Sequence, residues 1–281
     1  MSIERVFGSK VRAAVLMCLV KASGLGLSVT PRSIARVYGT NFTETYRFMR
    51  SLVDQGLAEK TTSGFTLSEK GLEIAEFVLS LVPSPEPYSS VEFNWIRKNL
   101  PDTVYYISKP WLQTWFGLTP HLLIIDSRLQ GKIKLPESFI TVQAYKRTLR
   151  QSNSPQHQRV IVVFSSLRGR EYKYSWDNYL SWSSLEQSYA DLISYMSVWE
   201  EFLPDILLNT RLLDLDKLLS KANTRGKKRL ATGLAYYAVL TGWKPVLKSP
   251  IYRLVDEKLV KKVVSITPYL LDTTITVTRN I

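Results

Sequence analysis

Residues 41–57 read NFTETYRFMRSLVDQGL, and their apolar residues recur with the period of an α-helix. With about 100° per residue, one arc of about 120° holds the polar side chains Thr43, Glu44, Arg47, Arg50, Ser51 and Asp54. The opposite side holds Phe42, Tyr46, Met49, Leu52 and Val53. The sequence therefore predicts a helix with an apolar core face and a basic polar face, which ends near Gly56.

A second helix is predicted just before this stretch. Thr30 is a favourable N-cap, Pro31 suits the first helical position, and the segment SIARVY then runs to Gly39. Gly39 is expected to end this helix, and the next helix starts after the tight turn at Thr40-Asn41. An earlier segment with helical period, residues 3–22, predicts one more helix before these two.

A β-hairpin and another helix are predicted after the stretch. Leu57–Lys60 and Phe65–Ser68 each have the composition of a short strand, and Thr61–Gly64 is the tip that joins them. The segment LEIAEFVLSLV then continues with helical period. Helices followed by a hairpin are the order of a winged helix-turn-helix, which we predict for residues 1–82.

This arrangement predicts an interface with double-stranded DNA. In a helix-turn-helix, the N-terminal part of the second helix contacts base edges in the major groove, and arginine there binds guanine through two hydrogen bonds. The residues expected to contact DNA are Arg32, Arg36, Thr43, Glu44, Arg47, Arg50, Lys60 and Thr62. The alternative is a solvated helix face on which Arg47 and Arg50 pair with Glu44 and Asp54.

The net charge also indicates a polyanionic partner. The chain of 281 residues carries 37 Lys and Arg against 24 Asp and Glu, a net charge of +13 with a pI near 9.7. A solvated basic surface without a specific partner is the alternative. Residues 1–82 hold ten basic against seven acidic side chains, so a single copy is expected to bind DNA weakly. A homodimer, or help from the rest of the chain, would strengthen binding.

The cysteine content indicates a reducing compartment. The one cysteine, Cys18, lies in the apolar run AAVLMCLV and has no partner for an internal disulfide, so we expect a buried thiol. The apolar run Val11–Val20 is too short to span a membrane, and no signal-peptide cleavage site follows it. These features predict a cytoplasmic protein with no membrane partner.

The length of the chain predicts two domains. The segment VPSPEPYSS at 82–90 contains three prolines, which favour an extended spacer, and we predict a linker over 83–90. Residues 91–281 are expected to form a mixed α/β C-terminal domain, with a sheet at about 104–175 and helices at about 183–243. The predicted fold class is α+β.

A second basic patch is predicted in this domain. The run TRGKKR opens a predicted helix, where cations oppose the helix dipole and a bound anion would offset them. Its members are Arg225, Lys227, Lys228 and Arg229. A solvated basic loop is the alternative interpretation.

Motifs that indicate catalysis are missing from the sequence. His121 and His157 are far apart and have no Cys or carboxylate neighbours at metal-ligand spacing, and no P-loop, G-x-S-x-G or G-x-G-x-x-G occurs. Asp214 and Asp216 form an Asp-x-Asp pair at a helix start, where a capping role is expected. We therefore predict no enzymatic activity, no metal and no cofactor.

Several stretches resemble the AbiEi-type antitoxins of type IV toxin–antitoxin systems. They read VYYISKPWLQTWFGLTP, RVIVVFSS, SWSSLEQSYADLISYM and LDLDKLLSKANTRGKKRLATGLAYYAVLTGW, and the resemblance spans most of residues 1–250. It implies a winged helix-turn-helix that represses its own operon. It also implies a C-terminal domain that helps to counteract a nucleotidyltransferase-type toxin. The aromatic second domain, the strand region at 121–166 and the tail after Trp243 depart from the family pattern.

Two other functions are compatible with the sequence. The first is a winged-helix regulator of another kind, whose C-terminal domain senses a ligand or a protein partner. The second is an enzyme that acts on nucleic acids, against which the absence of a clustered acidic or histidine site argues.

Overall fold

The computed structural model describes residues 7–81, 91–108, 121–141, 160–196, 199–208, 213–241, 253–268 and 270. Helices and a mixed sheet both occur, so the predicted α+β fold class is confirmed. The chain divides into two compact units. The first comprises Met1–Tyr106 and Tyr172–Trp182, and the second comprises Ile107–Glu171 and Ser183–Ile281.

The helices are α1 (Lys10–Gly24), α2 (Pro31–Tyr38), α3 (Phe42–Asp54), α4 (Glu69–Ser80), α5 (Val91–Asn99), α6 (Leu185–Tyr195), α7 (Leu203–Leu208), α8 (Leu215–Lys221), α9 (Thr224–Thr241) and α10 (Glu257–Val264). The strands are β1 (Ala58–Thr61), β2 (Gly64–Leu67), β3 (Tyr105–Ser108), β4 (His121–Asp126), β5 (Ile140–Thr141), β6 (Val160–Ser165), β7 (Tyr172–Ser175) and β8 (Leu180–Ser183). Short 3₁₀ turns occupy Ser127–Leu129 and Trp199–Phe202.

The strands form a hairpin and a larger sheet. Strands β1 and β2 pair antiparallel, with Ala58 opposite Leu67 and Thr61 opposite Gly64. The larger sheet has the order β5-β6-β4-β3-β8-β7, in which β4 and β5 both run parallel to β6. Strands β4 and β6 are continuous apolar runs because parallel strands are covered on both faces.

The order of elements in the N-terminal region is α1-α2-α3-β1-β2-α4. This is the order that a winged helix-turn-helix requires, and the assignment to that fold stays a prediction. The predicted linker at 83–90 lies outside the described residues. The predicted boundary between domains at these residues also stays a prediction.

A buried carboxylate lies at the centre of the first unit. Asp102 is fully buried and accepts hydrogen bonds from the Tyr38 hydroxyl at 2.7 Å and the Tyr105 hydroxyl at 2.8 Å. The Lys21 ammonium contacts the same carboxylate at 3.2 Å. Because these three partners come from α1, α2 and β3, Asp102 ties the N-terminal helices to the strand region of this unit.

Aromatic packing fixes α2 in the first unit. The Tyr38 ring lies 4.5 Å from the Tyr174 ring and 5.7 Å from the Trp176 ring, measured between centroids.

The one cysteine of the chain is buried in this unit. The thiol of Cys18 lies beside Thr103, and burial raises its pKa to about 12. The expectation of a buried cysteine is therefore confirmed.

A buried polar network organises the second unit. The Asp191 carboxylate on α6 is fully buried and accepts from the Arg170 guanidinium at 2.8 Å. The Ser108 hydroxyl donates to it at 2.7 Å and the Gln187 amide at 3.0 Å. Burial of a charge requires such partners, and here they join α6 to β3 and to the segment before β7.

Candidate nucleic-acid interface

Local capping residues position the two helices of the interface. The Thr30 side chain accepts from the Ser33 backbone N–H at 3.2 Å, and Gly39 ends α2 in the left-handed conformation with φ of +66°. The Asn41 side chain then accepts from the N–H groups of Thr43 at 2.8 Å and Glu44 at 3.2 Å. These contacts satisfy the free N–H groups at the start of each helix, so the predicted starts of α2 and α3 are confirmed.

The buried face of α3 differs from the predicted one. Thr45, Met49 and Leu52 are buried, whereas Phe42 and Tyr46 are exposed by 52% and 36%. The prediction that these two aromatic residues belong to the core is therefore wrong. The Thr45 hydroxyl donates to the Asn41 backbone carbonyl at 2.7 Å, so Thr45 can be buried without an unsatisfied polar group. Thr45 therefore takes a place on the buried face that the sequence assigned to the aromatic residues.

The predicted polar face of α3 is open to solvent. Thr43, Glu44, Arg47 and Arg50 are all exposed. Arg50 forms an ion pair with Asp54 at 3.6 Å, which is the pairing that the alternative interpretation anticipated. The neighbouring side chains of Tyr46 and Asp54 raise the pKa of Arg50.

Arg47 differs from Arg50 in its surroundings. Within the described part of the chain, Arg47 makes no ion pair, either with Glu44 or with another acidic residue. Its guanidinium therefore retains all of its donors for a ligand.

The two arginines of α2 have different environments. Arg32 is exposed in the first turn of α2, where a phosphate contact was predicted. Arg36 instead places its guanidinium 5.2 Å from the centre of the Tyr172 ring and donates to the Tyr172 hydroxyl at 3.3 Å. This contact holds one side of Arg36 against β7, but the residue is exposed, so its predicted contact with DNA stays a prediction.

The hairpin presents small polar groups at its tip. Lys60 and Thr62 are exposed, as a contact with DNA requires. The Thr61 hydroxyl lies within hydrogen-bonding distance of the Gly64 carbonyl at 3.1 Å and of the Ser28 hydroxyl at 2.9 Å, and these contacts hold the tip against the segment before α2. The tip is therefore rigid and uncharged.

The second basic patch is smaller than predicted. Arg229 is buried, and its guanidinium donates to the carbonyls of Ile193 at 2.6 Å and Met196 at 2.8 Å. It caps the C-terminal end of α6, so its assignment to a surface patch is wrong. Burial lowers the pKa of Arg229 to about 10. Arg225 is exposed, and Lys228 is exposed beside Asp256 at 3.8 Å.

Asp214 has the capping role predicted for it. Its carboxylate accepts from the Lys217 backbone N–H at 2.9 Å at the start of α8. His121 begins β4, and His157 lies outside the described residues. Within the described ranges, no group of three or more His, Cys, Asp and Glu residues could hold a metal ion.

Sequence reasoning missed three features of the two units. They are the exposed aromatic pair on α3, the Asp102 carboxylate and the Arg229 cap. The signal for the first was Thr45 four residues after the N-cap Asn41, a spacing that lets a hydroxyl bond the preceding turn. The other two depend on contacts between residues distant in the chain, for which the sequence offers no local signal.

No family model matches this chain, and no curated protein or solved structure matches it. Among the helices in the described ranges, none has both the length and the apolar character that a membrane span requires.

Proposed function

We propose that this chain is a sequence-specific DNA-binding transcriptional regulator, and that it acts as the autorepressing antitoxin of a type IV toxin–antitoxin system. The observation that carries the DNA-binding part is the exposed face of α3. Thr43 and Arg47 lie there one turn apart, with Arg47 outside any ion pair in the described chain. Such a face suits hydrogen bonding to base edges in a major groove.

The surroundings of α3 support the same proposal. Arg32 is exposed at the start of α2, where a phosphate contact would orient the unit on a duplex. Lys60 and Thr62 are exposed on the hairpin that follows α3. Together these residues could contact the phosphate backbone of DNA on both sides of α3, while α3 contacts the bases.

The antitoxin part of the proposal has a separate basis. It rests on the resemblance of SWSSLEQSYADLISYM and the neighbouring stretches to AbiEi-type antitoxins. In this chain that stretch includes β8 and α6, and α6 carries the buried Asp191. A functional surface would therefore stand on a rigid support, since the Asp191 network joins α6 to β3.

The DNA-binding part is tested by affinity for the promoter of the protein's own operon. We would compare the wild type with the double variant Arg47→Ala, Arg50→Ala at several salt concentrations, using fluorescence anisotropy. The double variant is expected to lose about 10- to 100-fold in affinity for the promoter. Its affinity for a duplex of random sequence should fall less, because contacts to bases provide the specificity.

A matched control removes the same charge elsewhere. The double variant Arg225→Ala, Lys227→Ala lowers the net charge by the same amount on the second unit. It is expected to keep the preference for the promoter over random duplex. If this control loses as much preference as the α3 variant, or if the α3 variant binds as selectively as the wild type, the interface is assigned to the wrong residues.

The antitoxin part is tested in cells. Full-length wild type and a variant with Asp191→Ala would each be expressed with the partner that the proposal requires, a nucleotidyltransferase-type toxin from the same operon. Wild type is expected to relieve growth arrest, and loss of the α6 support should weaken relief without lowering promoter affinity. Failure of the wild type to relieve arrest would refute the antitoxin role and leave the regulator role standing.

A further inference from the structure

An exposed aromatic pair lies at the N-terminal end of α3. Phe42 is the first residue of the helix and is 52% exposed, and Tyr46 one turn later is 36% exposed. Their ring centroids are 6.4 Å apart, with planes 25° from parallel. Exposed aromatic surface is unfavourable in water, so the pair calls for a partner with apolar groups.

The pair is held in place from the hairpin side. The Tyr46 ring meets the buried Phe65 ring of β2 edge to face, with centroids 6.3 Å apart. Arg50 follows Tyr46 one turn later on the same helix. The aromatic surface is thus supported by the hairpin on one side and is next to the arginine face of α3 on the other.

Charge decides which partner fits this surface. Arg47 and Arg50 lie beside the pair on the exposed side of α3, and the region of residues 1–82 is net basic. A second copy docked on this surface would bring the same arginines together, which is unfavourable. A polyanion that also carries apolar groups satisfies both features. In the major groove of DNA, the apolar group is the C5-methyl of thymine.

We propose that Phe42 and Tyr46 contact thymine methyl groups in the major groove, beside the bases that the arginines of α3 contact. This inference rests on the proposed DNA-binding function and adds a second mode of base recognition to it. Arginine distinguishes guanine by hydrogen bonds, whereas the aromatic pair distinguishes thymine from cytosine by apolar contact. The preferred sites would then contain thymine next to the positions read by arginine.

The test isolates single methyl groups. A binding site is first selected from random duplexes with the full chain, and each of its thymines is then replaced in turn by deoxyuridine, which lacks that methyl. Burial of one methyl corresponds to about a fourfold change in affinity. The wild type is expected to lose about fourfold at each contacted thymine and nothing at the others.

Four variants assign the effect to residues. Phe42→Ala and Tyr46→Ala should each bind thymine and deoxyuridine duplexes with nearly equal affinity. Arg47→Ala should bind both duplexes more weakly, but the ratio of its affinities for the thymine and deoxyuridine duplexes should equal that of the wild type. Phe77→Ala removes another exposed aromatic side chain of the same unit, 64% exposed on α4, and should change neither affinity nor ratio. Circular dichroism melting checks that each variant is folded.

The outcomes separate the inference from the function on which it rests. If no duplex is enriched in the selection, the proposed DNA-binding function fails. If a duplex is enriched but wild type binds it equally well with deoxyuridine at every position, the methyl contact alone is refuted. The assignment is also refuted if Phe42→Ala keeps the thymine preference. A change from dimer to monomer in Phe42→Ala by ultracentrifugation would show that a second copy covers the pair instead.

Discussion

Replacement of Asp102 by Asn tests how the first unit is held together. The side chain keeps its shape but loses its charge and half of its acceptors. In the folded chain the carboxylate accepts from Tyr38 at 2.7 Å and Tyr105 at 2.8 Å, and it pairs with Lys21 at 3.2 Å. The Lys21 side chain is 15% exposed and would be left without its counter-charge.

The magnitude follows from these contacts. Breaking one side of a buried ion pair costs about 3–5 kcal/mol, and a buried hydroxyl that loses its acceptor costs about 1–3 kcal/mol. We expect Asp102→Asn to lower the free energy of unfolding by about 3–5 kcal/mol, since the amide oxygen still accepts one hydrogen bond. This is a large part of the 5–15 kcal/mol that is ordinary for a folded protein.

The assay is urea unfolding, combined with hydrogen exchange of peptides from α1 and α2. Asp54→Asn serves as the matched control, because it breaks an exposed ion pair with Arg50 in the same unit. That control should cost no more than about 0.5 kcal/mol. The double variant Lys21→Met, Asp102→Asn should recover about 1–3 kcal/mol relative to the sum of the single changes, since no buried ammonium remains unpaired.

A spectroscopic measurement checks the same reasoning independently of stability. Burial and the nearby carboxylate raise the pKa of Tyr38 and of Tyr105 well above the ordinary tyrosine value. In Asp102→Asn both pKa values should fall, which ultraviolet titration of tyrosinate would detect. If Asp102→Asn unfolds within 1 kcal/mol of wild type, the reasoning about this carboxylate is refuted.

Three further changes test other contacts. Arg229→Met removes the cap on the last carbonyls of α6 and should cost about 2–4 kcal/mol in urea unfolding, whereas Arg225→Met at an exposed position should cost less than 0.5 kcal/mol. Burial and the neighbouring Glu200 raise the pKa of Glu201 from 4.5 to about 7, so stability should fall as pH rises through this window. Glu201→Gln should reduce this pH dependence of stability and raise the free energy of unfolding by about 1–2 kcal/mol above pH 7. Thermal melts at a series of pH values would measure both effects. Gly64→Ala would place a Cβ 2.5 Å from the Val29 carbonyl oxygen at a φ of +148°, and should cost more than Gly131→Ala, whose Cβ meets nothing within 4 Å. Equal costs for the two glycines would contradict the crowding at Val29.

The starts of the helices could be predicted because their causes are local. Thr30 with Pro31, Asn41 and Asp214 each bond a backbone N–H two or three residues away, so a short stretch of sequence contains both partners. The hairpin is likewise a short-range feature, and the strands observed differ from the predicted ones by one residue. The α+β class followed from the same local periods.

The sequence could not reveal which exposed groups are available to a ligand. Arg36 and Arg229 belong to basic segments, yet one packs on Tyr172 and the other caps α6. Both partners lie far away along the chain, and neither residue differs in local pattern from Arg32 or Arg225. Arg229 is withdrawn from the surface because free carbonyls accept its donors, whereas Arg36 stays exposed with one side against an aromatic ring.

By itself, then, the sequence determined where α2 and α3 begin, where the hairpin lies to within one residue, and that one face of α3 is basic. The tertiary structure decided that this face also carries Phe42 and Tyr46, because the hydroxyl of Thr45 is buried in their place. It also placed Asp102 among Lys21, Tyr38 and Tyr105. The physical reason is one of range: capping and periodicity act within a few residues, whereas burial of a polar group depends on whichever distant partners the fold brings within hydrogen-bonding distance.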